Sequence, residues 1–394
     1  MELTEENRRL LQTVLEQQKI WQLDVSKFMA LNGDNYFDND DLDDPTDAAA
    51  DKSVHQKSER ALDERFKALV ADLETVFAPL VGKGSATYKF ISEFLIAKGS
   101  SSNQWNITLL LDASLQNLPW EALPFVDDFF HLKSCRDYSL QMISHRIQTL
   151  IPPGSQPNNT VSFVNSSTIK YVVDPLQEDS GSKLNGKERK SVTEIWKMIC
   201  QKLGGGSKWS KLRSQNGLLS LEDFLLCLDN SGSKSPNSYV NLFACCLGRF
   251  GSILSPKDIS IMNLEKIQFL CCVDNSYNDV SYRRQNSYDV LKNVRDIELE
   301  NGLQMSALLS LAGVNSLLIN FWSIPLVSQN RFINNFWKAF TSKEKLFSAV
   351  SSSDRAISAL DQVQSSTPSN NRKQKAWISF SRILYGIPSF SYSD

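Results

Sequence analysis

The sequence predicts an α/β fold, a parallel-rich sheet flanked by helices and preceded by a helical segment. Three observations carry that expectation. From about residue 105 short apolar runs alternate with helical stretches, and the runs are too short to be ordinary helices. Several of the intervening stretches open on a capping residue. The first hundred residues hold their apolar side chains at helical spacing instead.

The change of pattern divides the chain into a helical region, 1–100, with an acidic loop at 33–51, and an α/β domain, 101–394, with a helical C-terminal end. In the first region Leu62, Phe66, Leu69, Val70, Leu73, Val76 and Phe77 form one stripe, and Leu10, Leu11, Val14 and Leu15 a shorter one. Gly33 to Asp51 is crowded with aspartates and carries Pro45. No register of it supplies the carboxylates of a calcium loop together with Gly at position six and Glu at position twelve, so a solvated linker is expected.

In the second region the expected strands are Asn106 to Leu111, Ile169 to Val173, Tyr239 to Cys245, Ile267 to Val273 and Leu317 to Phe321. Their near-continuous apolar character suits strands covered on both faces. Ser191 with Glu194 makes a capping box, and Ser220 caps a second helix. Met305, Leu308 and Leu309, then Phe332, Ile333, Phe336 and Phe340, mark two further helices; Ile357, Leu360, Trp377, Phe380, Ile383 and Leu384 suggest a helical end. Pro152 to Ser167, Gln177 to Lys190 and Asn230 to Asn237 read as surface loops.

Composition removes several function classes. Apolar residues are 41% and charged residues 22% of the chain, as in a globular protein. A formal net charge of −2 gives no electrostatic footprint for nucleic acid or an anionic membrane. The opening MELTEENRRLL has no apolar core of a signal peptide, and no run of about 18 apolar residues occurs, so a soluble intracellular protein is expected. Seven cysteines, at 135, 200, 227, 245, 246, 271 and 272, form no C-x-x-C pair and fit reduced thiols. The glycosylation patterns at Asn106 and Asn158 are read as chance matches for the same reason. Gly204 to Gly206 and Gly82-Lys83-Gly84-Ser85 both lack parts of a phosphate-binding loop, which disfavours a nucleotide-binding regulatory domain. No cofactor is expected.

Three segments carry more character than composition explains: Leu109 to Asp112 leading into Leu118-Pro119-Trp120-Glu121-Ala122-Leu123-Pro124; Lys170 to Pro175; and Leu309 to Asn315 running into Asn320-Phe321-Trp322. In order and spacing they resemble the caspase-like proteases of the separase and CHAT type over roughly 105 to 340. The resemblance implies a caspase-like sheet in which a histidine ends the third strand and a cysteine nucleophile ends the fourth. The chemistry needs both, because an unassisted thiol with a pKa of about 8.5 is only slightly ionised at neutral pH. Here the third strand ends Phe243-Ala244-Cys245-Cys246-Leu247-Gly248 and the fourth Leu270-Cys271-Cys272-Val273-Asp274. Cys246 and Cys272 therefore stand at degenerate positions, and no catalytic residue is assigned. His55, His131 and His145 all precede the third strand, and His145 falls on the polar face of a helix. Neighbouring residues on a strand point to opposite faces, so each Cys-Cys pair offers one sulfur per face and no metal site is expected.

A narrower set, Met262-Asn263-Leu264, Arg283 to Asn286, Asp289 to Lys292, Leu309 to Val314 and Trp322, together with Cys135 to Leu140, resembles the C-terminal region of the cilia- and flagella-associated protein 46 family. That resemblance implies a longer protein with helical repeats upstream. It implies a non-catalytic scaffold in the cytoplasm and cytoskeleton, within the central apparatus of the ciliary or flagellar axoneme and its movement machinery. Its partners would be protein subunits of that apparatus, with no nucleic acid and no membrane. The alternative is a cysteine peptidase of the separase/CHAT type with an atypical base. Trp337 lies beside the stripe of Phe332, Phe336 and Phe340. Two placements stay open for it: packed on the later segment holding Trp377 and Phe380, or exposed as an interface anchor.

Overall fold

The computed structural model describes residues 4–32, 49–97, 107–126, 134–150, 169–173, 182–184, 187–189, 194, 196, 197, 201, 210, 211, 240–245, 250–252, 254–273, 292–340 and 376–386. Helices α1 (Glu5–Asn32), α2 (Ala49–Val81) and α3 (Ala86–Ala97) come first. The remaining helices are α4 (Leu140–Leu150), α5 (Pro256–Ile261), α6 (Val294–Leu299), α7 (Gly302–Leu311), α8 (Leu326–Phe340) and α9 (Ala376–Ser379). The strands are β1 (Ile107–Leu110), β2 (Ser134–Asp137), β3 (Ile169–Val173), β4 (Ser182–Leu184), β5 (Lys187–Arg189), β6 (Ser210–Lys211), β7 (Val240–Cys245), β8 (Ile267–Val273), β9 (Ser316–Asn320) and β10 (Arg382–Gly386).

Among the described residues, eight strands form one sheet in the order β1-β2-β10-β9-β8-β7-β3-β6. Every neighbouring pair is parallel except β10 with β9. The sheet therefore holds two parallel blocks running in opposite directions, joined at that one antiparallel seam. β8 lies in its middle and is buried throughout, as suits a run that is apolar at every position but Gln268. The five expected strands all appear, within a residue or so of their expected ends.

The helical end needs correction. Trp377 and Ile378 lie on the one-turn helix α9, but Arg382–Gly386 is strand β10, inserted between β2 and β9 and buried at every residue. Ile383 and Leu384 project to opposite faces of the sheet rather than along one helical stripe, and both are needed to cover it. Gly386 closes the strand at φ 102°, where an added Cβ would meet the Asn315 carbonyl at 2.1 Å.

α1 and α2 pack onto the sheet rather than apart from it. Trp21, Phe28, Leu62 and Phe66 share one buried cluster with Leu270, Cys272, Ile319, Trp322 and Trp377. The ring of Trp21 meets Trp322 edge-on at 4.9 Å, and its Nε1 donates to the Leu62 carbonyl at 3.2 Å. Trp322 Nε1 donates in turn to the Trp377 carbonyl at 3.0 Å. These rings tie both ends of the chain to the end of β9. A second cluster, with Val14, Leu69, Leu73, Phe77, Trp120 and Leu123, joins α1 and α2 to the segment after β1.

α8 covers the other face. Phe336 stacks on Phe269 at 6.3 Å, and Trp337 meets Phe243 at 5.4 Å and Trp196 at 5.6 Å, both edge-on. Trp337 is 1% exposed, which corrects its placement as an interface anchor. The physical reason is the sheet's width: Phe243 on β7 extends the surface that α8 covers, so the helix buries the side chain beside its stripe as well as the stripe. Trp337 packs on β7 and Trp196, not on the segment holding Trp377 and Phe380.

Candidate functional site

The resemblance directs attention to the carboxyl ends of β7 and β8. The two strands are adjacent and parallel, with Ala244 opposite Cys272 and Cys245 opposite Val273. Cys272 is the penultimate residue of β8, 2% exposed, and belongs to the buried cluster beneath α1 and α2 with Leu270 and Ile319. A nucleophile must reach a carbonyl carbon, and this sulfur faces packed side chains. Cys271 projects to the opposite face and is 0% exposed. Gln329 of α8 donates through Nε2 to the Val273 carbonyl at 3.3 Å, holding the last residue of β8 against the helix. Cys246 and His131 lie outside the described residues, and His55 lies on α2 with its side chain outside them.

His145 is described, and it lies at the wrong edge. Its ring is 62% exposed, with Nε2 4.0 Å from Glu265 Oε1, and Glu265 precedes the amino end of β8. Six rises of about 3.3 Å separate that end of the strand from Val273, so His145 sits on the order of 20 Å from the carboxyl edge. A general base must come within hydrogen-bond reach of the proton it takes, so His145 cannot serve a thiol there. Among the described residues no group of three or more His, Cys, Asp or Glu side chains could hold a metal ion.

The Pro-Trp-Glu segment has a structural role that the sequence did not disclose. Trp120 packs against Phe77 of α2 at 4.6 Å and donates Nε1 to the Leu115 carbonyl at 2.9 Å. Glu121 receives Arg136 of β2 side-on, Nε to Oε1 at 2.7 Å and Nη2 to Oε2 at 2.5 Å. Arg136 also donates to the carbonyls of Gln116, at 2.5 Å, and Leu118, at 2.7 Å, which holds the segment beside β2. Burial works against the Arg136 charge, but the Glu121 carboxylate outweighs it and raises the pKa above its ordinary value. At the next position Asp137 faces Arg146 of α4 at 3.1 Å. Burial there dominates both partners, lifting the carboxyl and lowering the guanidinium while each opposes the other's shift. Arg146 spends Nη1 on the carbonyls of Val314 and Asn315 at the start of β9. Tyr138 stacks on Tyr385 at 5.0 Å and shares a hydrogen bond with Ser306.

The glycine of the third segment is also structural. Gly313 has φ 108°, and a Cβ there would stand 2.8 Å from Glu265 Cγ and 2.9 Å from its nitrogen. That close approach ends α7 and lets Leu264 N donate to the Ala312 carbonyl at 2.7 Å, which sets β8 beside β9.

No protein-family model matches the chain, and no curated protein matches it in sequence. Solved structures do. Two crystal structures of the Saccharomyces cerevisiae separase–securin complex superpose on it, one with a TM-score of 0.59 over 95% of this chain and the other with 0.54 over 97%. The fold is caspase-like. Identity is 12% in both comparisons, so the likeness concerns the fold alone, and the chain spans 27% of the length of the separase-complex chains it matches. Two of the three segments thus hold the sheet's architecture: in the first Glu121 anchors β2, and in the last Gly313 sets β8 against β9 while Trp322 docks the helices.

Proposed function

We propose that this chain is a non-catalytic, caspase-like scaffold that docks other protein subunits of the axonemal central apparatus. The observation that carries the first half is the distribution of imidazole. The position that separase-type proteases reserve for histidine at the end of β7 is Cys245-Cys246, and His55, His131 and His145 all precede β7 in sequence. The burial of Cys272 supports the same reading, since a sulfur enclosed by packed side chains has no access to a substrate carbonyl. The second half rests on the resemblance of Cys135 to Leu140, Met262 to Leu264, Leu309 to Val314 and Trp322 to the cilia- and flagella-associated protein 46 family.

The test is placement. The chain, tagged and expressed in ciliated cells, is expected in the axoneme, lost from it when the central apparatus is genetically absent and retained when outer-doublet projections are removed. Exclusion from the axoneme would refute the ciliary half. A purified chain that cleaves peptide and loses that activity in Cys272→Ser would refute the scaffold half in favour of a separase/CHAT-type peptidase.

A further inference from the structure

Among the described residues the three most exposed large apolar side chains are Ile261 at 75%, Leu311 at 73% and Leu140 at 68%. Each stands at an end of a helix that meets the edge of the sheet where β10 stops. Leu311 is the last residue of α7, which leads into β9, and Ser316 at the start of β9 pairs with Gly386 at the end of β10. Ile261 is the last residue of α5, held beside α7 by the hydrogen bond from Leu264 N to the Ala312 carbonyl at 2.7 Å. Leu140 opens α4 on the other flank, just after β2, and the intervening Tyr138 stacks on Tyr385 of β10 at 5.0 Å. Single exposed aliphatic residues are ordinary, but a group of them around one point marks an interaction site.

The residues that follow β10 supply an occupant. Gly386 lies against the Asn315 carbonyl, and Leu311 precedes Asn315 by four residues, at most about 15 Å of chain. Pro388 has no N–H to give and cannot carry the ladder of β10 onward. Beyond it the sequence alternates strictly, Ser389-Phe390-Ser391-Tyr392-Ser393-Asp394. In an extended chain that alternation puts Phe390 and Tyr392 on one face, about 7 Å apart, and the serines on the other. Measured from Gly386, Phe390 reaches about 14 Å and Tyr392 about 20 Å, enough for the first to cover Leu311 and the second Ile261. A second copy of the chain suits the patch less well. Three aliphatic side chains fall short of the roughly 1,000 Å² that two separate chains need for a stable contact. An attached segment needs no such area, because its link already sets a high local concentration.

We propose that Leu311 and Ile261 form an intramolecular docking site for residues 387–394, with Phe390 seated on Leu311, Tyr392 on Ile261, and Leu140 bordering the site across the end of β10. The site rests on neither the scaffold reading nor the thiols, and either can fail without it.

Photocrosslinking of the purified full chain with p-benzoylphenylalanine at position 390 tests it. The expected product joins position 390 to the peptide holding Leu311 or Ile261 within one chain, and a mixture of light and isotopically heavy chains is expected to give no mixed product. Leu311→Glu in the same chain is expected to abolish that product at an unchanged melting temperature, because the side chain it replaces lies at the surface. A product that persists undiminished in Leu311→Glu overturns the proposal, as does a product on any other element or none at all. A mixed light and heavy product assigns the patch to a second copy and overturns it too. Should Leu311→Glu fail to fold, Ile261→Ser takes its place, with loss of the position-390 product to the Ile261 peptide expected and its undiminished survival contradicting the site.

Discussion

Replacing Glu121 by alanine removes one member of a fully enclosed ion pair and leaves the other in place. Arg136 is 0% exposed, and Glu121 supplies both oxygens of its side-on contact. Breaking a buried pair from one side costs about 3–5 kcal/mol, because the surviving charge has no water to turn to. Arg136 keeps the carbonyls of Gln116 and Leu118, which places Glu121→Ala near the lower end, at about 3 kcal/mol. Arg136→Met is expected to cost more, since it strands the Glu121 carboxylate and two carbonyls at roughly 1–3 kcal/mol for each buried group left unpaired. The double variant Glu121→Leu with Arg136→Met removes both charges and leaves the carbonyls alone. It should therefore be more stable than the sum of the single losses by about 2 kcal/mol or more. Urea unfolding followed by tryptophan fluorescence measures all four corners of the cycle. A coupling below about 0.5 kcal/mol would mean that the two side chains act independently, and the account of the Pro-Trp-Glu segment as an anchor for β2 would be wrong.

Other expectations follow from the same geometry. Gly313→Ala forces a side chain into left-handed backbone and against Glu265, and should lower stability by more than about 1 kcal/mol in the same assay; a neutral result would contradict the turn. Trp337→Ala opens a cavity between α8 and β7 and should cost about 3–5 kcal/mol; an unchanged melting temperature with loss of co-purifying partners would return Trp337 to the surface. Burial pushes the Cys135 thiol up to about 12, with Thr108 opposing and Asp137 adding to it. Because the neutral form is favoured, roughly one molecule in ten thousand is thiolate at pH 8, and the native alkylation rate should climb about tenfold per pH unit well past pH 9. A native rate that levels off near pH 9, read by mass spectrometry of the Cys135 peptide, would contradict the burial.

The strands that could be read in advance are those with apolar residues on both faces and few polar interruptions. Ile267 to Val273 shows its place in the centre of the sheet in its composition, because burial on both sides permits little else. β2 and β10 sit as deep, yet they carry Arg136, Asp137 and Arg382 in four- and five-residue strands. Arg136 and Asp137 meet Glu121 and Arg146 on other elements, and Arg382 lies over the ring of Phe332 on α8, so no pattern within either strand announces these contacts. For that reason β10 resembled the tail of a helix. At the site, the pair of cysteines that ends the third expected strand, Cys245-Cys246, can be read without coordinates. The burial of Cys272 under α1 and α2 could not be read, since which face of β8 those helices cover depends on Trp21 and Phe66 meeting Trp322 across the fold.

The central claim, that this caspase-like chain has no working thiol at the end of β8, is tested most directly by the alkylation rate of Cys272 in the native protein between pH 5 and 9. The native rate is expected to lie far below that of the urea-unfolded chain throughout, because the sulfur is 2% exposed. Rapid native labelling that reaches a plateau below about pH 7, as an activated thiolate would give, contradicts it.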